Sequence, residues 1–384
     1  MSCGAPLVLD IPRTLCAVGA VSTLADELDA LRVRRPLLVT DKGISAAGLV
    51  KKVTQAYDGA HPMTLFDEVT ENPVFSDVDK GLALYARQSC DGVVALGGGS
   101  VIDTAKFIAL VASNAGGIAD FAGKPGTPHG ASAPLIAIPT TAGTGSEASH
   151  SAAIHADATA PAMGMSSRHL IPRVAILDPL LTVGLPARLT AATGIDALSH
   201  CIEGYLSTKD QPLGKSIALD GIARVGKALK RALADPQDLD ARMEMMLAAY
   251  AGGVSISMGL GPAHAVALAC SDQGFHHGVL SGIGLVATLD ATAAHVPERM
   301  APVAQALGMA PTASPAAAIA GLMRELGLPA TLAELGYAAG DIPHLANAAC
   351  RSHFNLFAPL QPTSEQYAAM LSASLAMPLS KISR

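Results

Sequence analysis

The sequence predicts an α/β half followed by an all-helical half, and three observations carry that reading. Short apolar runs rich in Val, Ile and Leu alternate with helical patterns as far as Asp178. Beyond Pro186 those runs give way to long helical stretches. The chain has 384 residues, more than one hydrophobic core usually serves, so two domains are expected. Asp178-Pro179 closes the last clear strand and sets the expected domains at 1–180 and 181–384.

Taken in order, Arg35 to Asp41 reads as a strand ending in a turn, and Ala46 to Tyr57 as the helix after it. Gly92 to Leu96 is a second strand and Val101 to Ala112 its helix. Pro134 to Ile138, closed by Pro139, is a third strand, and Val174 to Leu177 a fourth. This βα alternation predicts a mostly parallel sheet. In the second half Leu189 to Leu206, Lys215 to Leu233, Asp240 to Met258 and the segment from Pro262 onward read as helices. Ala310 to Ala318, rich in Ala and Pro, is expected to be a loop leading into a helix.

Composition narrows the function classes. Apolar residues make up 50% and charged residues 15%, which excludes a disordered chain. No apolar run approaches the roughly 18–20 residues that span a bilayer, so no membrane association is expected. Met1 to Asp10 carries neither a basic segment nor a long apolar one, and a cytoplasmic location is the expectation. Cys3, Cys16, Cys90, Cys201, Cys270 and Cys350 lack CxxC spacing and read as reduced thiols. The net charge is −6, no Lys/Arg cluster is interleaved with aromatics, and Trp is absent; a nucleic-acid surface is therefore not expected.

Three segments of the first half carry binding chemistry. Gly97-Gly98-Gly99-Ser100 lies between a strand and a helix, where glycines let backbone N–H groups approach a phosphate and the helix start offers its positive end. Thr40-Asp41 ends the first clear strand. A carboxylate there can accept hydrogen bonds from a ribose and repel a 2′-phosphate, which points to NAD over NADP. Pro139 to Glu147 is a hydroxyl-dense, glycine-containing loop after a strand, able to line a polar ligand.

The second half carries a metal pattern. Asp196 and His200 stand four apart, which puts a carboxylate and an imidazole on one helix face. His264 and the adjacent pair His276-His277 follow. Neighbouring histidines on a helix point in different directions, so only one of that pair is expected to bind. One Asp and three His form an N₃O set suited to Fe²⁺ or Zn²⁺, with a position left for a substrate oxygen.

Together these residues resemble the iron-containing (group III) alcohol dehydrogenase family. The resemblance rests on Gly97 to Lys106, Pro139 to Glu147, the run from Asp178 through Glu203, His264 and His277-Gly278, and it covers about residues 10 to 375. It implies a Rossmann-like dinucleotide-binding domain followed by a helical metal domain, the architecture shared with dehydroquinate synthase. It further implies metal ligands at Asp196, His200, His264 and His277. Cofactor contacts are implied at Asp41, Asn72, Gly98, Gly99, Ser100, Asp103, Thr140, Thr141, Thr144, Ser146 and Thr182. Members use NAD and commonly form homodimers or larger assemblies, so a homo-oligomer is expected.

The chain departs from the family pattern at four places. Ala162 stands where many members have a lysine beside cofactor and substrate, and Leu268 where many have a histidine four residues after the third ligand. Ala358-Pro359-Leu360 replaces an Asn-Pro-Arg/Lys pattern, and Ser281 replaces an Asn. Two missing cations weaken the case for an anionic substrate, because a carboxylate leaving water needs a charged or hydrogen-bonding partner. The reading is hydride transfer between NAD(H) and a small, neutral primary alcohol or aldehyde. Thr40 to Gly43 and His200 to Glu203 also resemble semialdehyde-reducing members, which keeps a 4-hydroxybutyrate-type hydroxy acid open. Two readings of other classes are a dehydroquinate synthase-like lyase and a metal-bound module without turnover. The first needs several cations near the metal, whereas Gly194 to Glu203 and Gly259 to Gly278 contain no Lys or Arg.

Overall fold

The computed structural model describes residues 7–57, 62–124, 127, 129–309 and 314–376. Two compact units are present. One runs from Asp10 to Leu185, and the other comprises Pro186 to Arg384 with the N-terminal segment that ends at Leu9. The division falls a few residues beyond the expected boundary, and the N-terminal segment joins the helical unit, where Gln211 donates to the Val8 carbonyl at 3.0 Å.

The first unit is built on strands β1 (Arg13–Cys16), β2 (Pro36–Val39), β3 (Thr64–Phe66), β4 (Gly92–Gly97), β5 (Leu135–Pro139), β6 (Ser151–His155), β7 (Ala162–Ser166) and β8 (Val174–Leu177). Its helices are α1 (Leu24–Ala30), α2 (Lys42–Ala46), α3 (Leu49–Ala56), α4 (Phe75–Arg87), α5 (Gly99–Ala112) and α6 (Ile118–Phe121). Six strands form a parallel sheet in the order β1-β8-β5-β4-β2-β3, while β6 and β7 pair as a separate antiparallel hairpin. Alternate residues of the central strands feed two cores. Leu37, Val39, Val93, Ala95, Leu135 and Ala137 face α4, α5 and α6. Leu38, Val94, Leu96, Ile136, Ile138 and Ile176 face α1 and α3. Burial on both faces is why these strands are continuous apolar runs rather than alternating ones.

The helix expected over Ala46 to Tyr57 is two helices. Gly48 sits at φ +77°, outside the helical region, and separates α2 from α3. The helix of the glycine loop begins at Gly99, two residues before the expected Val101.

The second unit consists of α7 (Ala187–Leu206), α8 (Pro212–Ala234), α9 (Leu239–Ile256), α10 (Pro262–Ala269), α11 (His277–His295), α12 (Pro297–Ala306), α13 (Pro315–Glu325), α14 (Ile342–Cys350) and α15 (Ser364–Ala376). No strand occurs among its described residues. Helix α7 is buried nearly all round and packs against α8, α9 and α11, so it behaves as a core helix with no solvent face. Of the Ala310 to Ala318 segment, residues 310–313 lie outside the described residues, and α13 starts at Pro315 with Ser314 as its cap. No described helix is long and apolar enough to cross a membrane. None of the described cysteines is in a disulfide; Cys3 lies outside the described residues.

Candidate metal centre and dinucleotide edge

The C-terminal edge of the sheet gathers most of the residues expected at a dinucleotide. The strands β2 and β4 are parallel neighbours, but the order in which successive strands are added to the sheet reverses between them, and ligands of open α/β sheets bind beyond the carboxyl ends at such a switch point. Thr40 bridges the two strands there, its hydroxyl donating to the Leu96 carbonyl at 2.7 Å. Asp41 caps α2 by accepting from the Ile44 N–H at 2.8 Å. The Ser100 hydroxyl donates to the Glu71 carbonyl at 2.5 Å, which draws the turn carrying exposed Asn72 up to the glycine loop.

The glycine loop and the 139–147 loop are pressed together. Thr140 donates its N–H to the Gly97 carbonyl at 3.0 Å. A Cβ at Gly98 would meet Thr141 at 3.3 Å, and one at Gly99 would come within 2.7 Å of Thr144 Cγ2. The Thr140 hydroxyl, directly after the end of β5, is buried without a hydrogen-bond partner among the described residues. Bare glycine amides at a helix start, an unpartnered hydroxyl and the switch-point crevice fit the diphosphate of a dinucleotide.

Further expected contacts are also held in intramolecular bonds. Asp103 accepts from the Ala153 N–H of β6 at 2.9 Å and lies 4.0 Å from Lys106 Nζ. Thr182 is buried, its hydroxyl donating to the Pro179 carbonyl at 2.9 Å. Thr144 Oγ1 accepts from the Ser146 N–H at 3.3 Å, and Ser146 is buried.

A buried ionic group that the motif reading missed lies beneath this edge. Lys106 is fully enclosed on α5 and donates to the Ser149 carbonyl at 2.9 Å, the Ser149 hydroxyl at 3.0 Å and the Ser151 carbonyl at 2.6 Å. Burial lowers the Lys106 ammonium to about 8 against the pull of Asp103 and Glu147. Burial likewise raises the Glu147 carboxyl to about 7, with its own backbone N–H and Lys106 opposing. The available signal was Lys106 ahead of the apolar run Phe107 to Ala112 on the same helix, since an enclosed lysine needs acceptors.

In the helical unit Asp196 and His200 come from one face of α7, His264 from the first turn of α10, and His277 from the first residue of α11. One donor atom from each of the four lies within 4.8 Å of the other three. His264 Nε2 stands 4.0 Å and His277 Nε2 3.8 Å from Asp196 Oδ1. The His200 and His264 rings stack at 4.7 Å between centroids. Three of the four side chains are buried, and His277 is half exposed.

Electrostatics and hydrogen bonds prepare this cluster for a cation. Burial alone would raise the Asp196 carboxyl, but His200, His277 and His264, with the Ser281 hydroxyl donating at 3.0 Å, bring it down to about 2. His264 Nε2 is buried and without a hydrogen-bond partner, an orphaned lone pair facing a carboxylate. A buried N₃O set with an unsatisfied ring nitrogen fits Fe²⁺ or Zn²⁺. His276, the other half of the pair, instead caps α11, its Nδ1 accepting from the Gly278 N–H at 3.1 Å. Two side chains outside the set bond to its members, Ser281 to Asp196 and Glu203 to His264. Glu203 lies three residues after His200, where the helical period puts it on the same face.

Comparison with known proteins agrees with this geometry. The model of the iron-containing alcohol dehydrogenase family matches residues 12–179, and that of the family's C-terminal domain matches residues 190–375. The chain belongs to the iron-containing alcohol dehydrogenase family. It is accordingly a metal-dependent alcohol oxidoreductase, with NAD and iron as the family's cofactors, not a lyase. The chain is 39% identical to 4-hydroxybutyrate dehydrogenase of Cupriavidus necator over 374 residues, covering 93% of this chain and 96% of that one. Its fold is similar to that of 1,3-propanediol oxidoreductase, with a TM-score of 0.91 and 30% identity over 96% of this chain and all of the other. It also resembles sulfoacetaldehyde reductase of Bifidobacterium kashiwanohense, determined in complex with NAD⁺, with a TM-score of 0.88 and 28% identity over 97% and 99% of the two chains.

Proposed function

We propose that this dehydrogenase interconverts a small primary alcohol and its aldehyde with NAD(H), using Fe²⁺ held by Asp196, His200, His264 and His277. The observation that carries the reading is the set of four donor atoms within 4.8 Å, one of them an orphaned imidazole nitrogen. When bound, Fe²⁺ polarises the substrate oxygen and NAD(H) carries the hydride. The protein's own part is to hold and orient. Asp196 contributes the one negative charge of the ligand set, kept ionised by its neighbours. His277, the exposed member, marks the side on which a substrate oxygen can enter.

In the α/β unit the amides of Gly98, Gly99 and Ser100 at the start of α5 would hold the diphosphate, with Thr140, Thr141, Thr144 and Ser146 beside it. Asp41 at the end of β2 would take the adenosine ribose, and Asn72 would border the same edge. Asp103 and Thr182, engaged within the protein, would shape the pocket wall. The roles divide between a dinucleotide domain, expected over 1–180 and compact over Asp10–Leu185, and a metal and substrate domain, expected over 181–384 and compact from Pro186. A cytoplasmic homo-oligomer goes with this reading; β1 is an open sheet edge, flanked by exposed Ile11 and Val18.

A neutral substrate is favoured by the absence of Lys and Arg from Gly194 to Glu203 and from Gly259 to Gly278, the segments around the metal. The similarity to a 4-hydroxybutyrate dehydrogenase over almost the whole chain favours a second reading, an ω-hydroxy acid and its semialdehyde. NADH oxidation by anaerobically Fe²⁺-loaded protein, with short neutral aldehydes against succinic semialdehyde at equal concentrations, separates them. A higher kcat/KM for neutral aldehydes supports the first reading. A preference for the semialdehyde replaces it with the second, and turnover of neither rejects both.

A further inference from the structure

Helix α7 carries a third polar residue on its ligand face. Asp196, His200 and Glu203 follow the i, i+4, i+7 spacing of one helical stripe, and Glu203 is buried with only 6% of its surface exposed. A carboxylate that deep needs donors, and it has three. Oε2 accepts from His264 Nδ1 at 2.5 Å and from the His264 backbone N–H at 3.3 Å; Oε1 accepts from the Ala263 N–H at 2.7 Å. All three donors belong to the first turn of α10, whose first residue, Pro262, has no N–H to offer.

The chemistry of this contact fixes more than a helix start. An ionised carboxylate only accepts, so the hydrogen of the His264 ring sits on Nδ1 and the lone pair on Nε2. That Nε2 is the orphaned atom facing Asp196. We propose that Glu203 is a positioning residue of the metal centre: by accepting from His264 Nδ1 it fixes the ring's tautomer and orientation and so strengthens metal binding. The inference rests on the reading of Asp196, His200, His264 and His277 as metal ligands. It assigns a function to a side chain that none of those four roles includes.

Gly261 belongs to the same device. A Cβ at this position would lie 2.8 Å from Glu203 Oε1, so a side chain there would push the carboxylate off its donors. Two independent substitutions therefore attack one contact. Glu203→Gln keeps the shape but turns half of the acceptor into an NH₂ group facing N–H donors. Gly261→Ala keeps every hydrogen-bonding group and displaces the acceptor.

The test is metal affinity of the full-length protein, measured by competition with a chromophoric chelator, together with the visible spectrum of the Co²⁺-substituted form and the thermal midpoint of the metal-free form. Orienting partners of ligating histidines are typically worth roughly 10–100-fold in affinity. The proposal expects a loss of that size in Glu203→Gln, a smaller loss in Gly261→Ala, and a changed Co²⁺ spectrum in both. A purely structural cap would lower the metal-free midpoint and leave affinity and spectrum of the folded protein unchanged; that result overturns the proposal. If Glu203→Gln does not fold, Gly261→Ala decides alone. If the unaltered protein fails to bind Co²⁺ or Fe²⁺, the four-ligand reading itself falls.

Discussion

Gly278 lies so close to Ala192 that a Cβ on the glycine would come within 2.1 Å of the alanine carbonyl oxygen. This approach seats the first turn of α11 on α7 and brings His277 to Asp196, whose own Cβ would be 3.1 Å from the added atom. Overpacking of a closed contact costs about 1–3 kcal/mol or more, since neither helix backbone can yield locally. Gly278→Ala should therefore lower the thermal midpoint of the helical unit and release iron at chelator concentrations the unaltered protein withstands. Calorimetry and metal analysis of the same samples check both.

The hydroxyl that Ser281 directs to Asp196 Oδ1 stabilises the charged carboxylate. Without it the carboxyl takes up protons at a higher pH, and protons compete with metal for the ligand. Ser281→Ala should lose metal several-fold more readily and begin to lose it at a higher pH on acidification. Metal retention followed from pH 7 down to pH 4 reads both effects. An unchanged release curve would remove Ser281 from the account of the centre.

Glu147 makes stability pH-dependent. Its carboxyl is raised by burial to about 7, against 4.5 for an unhindered glutamate, so the folded chain holds this proton more tightly than the unfolded chain between those values. The contribution is full below about pH 4.5 and is lost as pH rises through 7, a swing on the order of 3 kcal/mol. Glu147→Gln should flatten this part of the urea-unfolding profile of the α/β unit between pH 5 and 8. Lys106 acts with the opposite sign: lowered to about 8, it makes stability rise with pH from there to 10.5.

At the dinucleotide edge, Gly99 has no room for a methyl group beside Thr144. Gly99→Ala should part the two loops and weaken NADH binding by about tenfold, or ~1.4 kcal/mol, with metal affinity untouched. Fluorescence titration with NADH, run alongside the chelator competition, separates the two units' contributions. Equal NADH affinity in the variant would place the cofactor elsewhere.

Much of the α/β unit was legible because its central strands are buried on both faces. β2, β4, β5 and β8 stand out as apolar runs bounded by Pro, Gly or Asp. β1, β3 and the β6–β7 hairpin were not legible. They span three to five residues, with partly exposed patterns that give periodicity too little to act on. Asp196 and His200 could be paired from spacing alone, since one helix fixes their relation. Glu203 shares that face, but its partner could not be read, because α10 and its Ala263 and His264 amides are some sixty residues away.

The sequence by itself determined the four central strands and the long helices, where the fold changes class, and which residue types could hold a metal or a diphosphate. Those properties are local, set by side-chain period, glycine placement and the chemistry of single residues. Tertiary structure alone decided that His264 and His277 converge on Asp196, that His276 caps a helix instead, that Lys106 and Glu147 share a buried site, and that Glu203 accepts from the His264 ring. Each of these depends on how closely two distant helices or loops approach. That distance is set by packing at positions such as Gly278 and Gly99, where a missing side chain lets backbone meet backbone or a neighbouring loop.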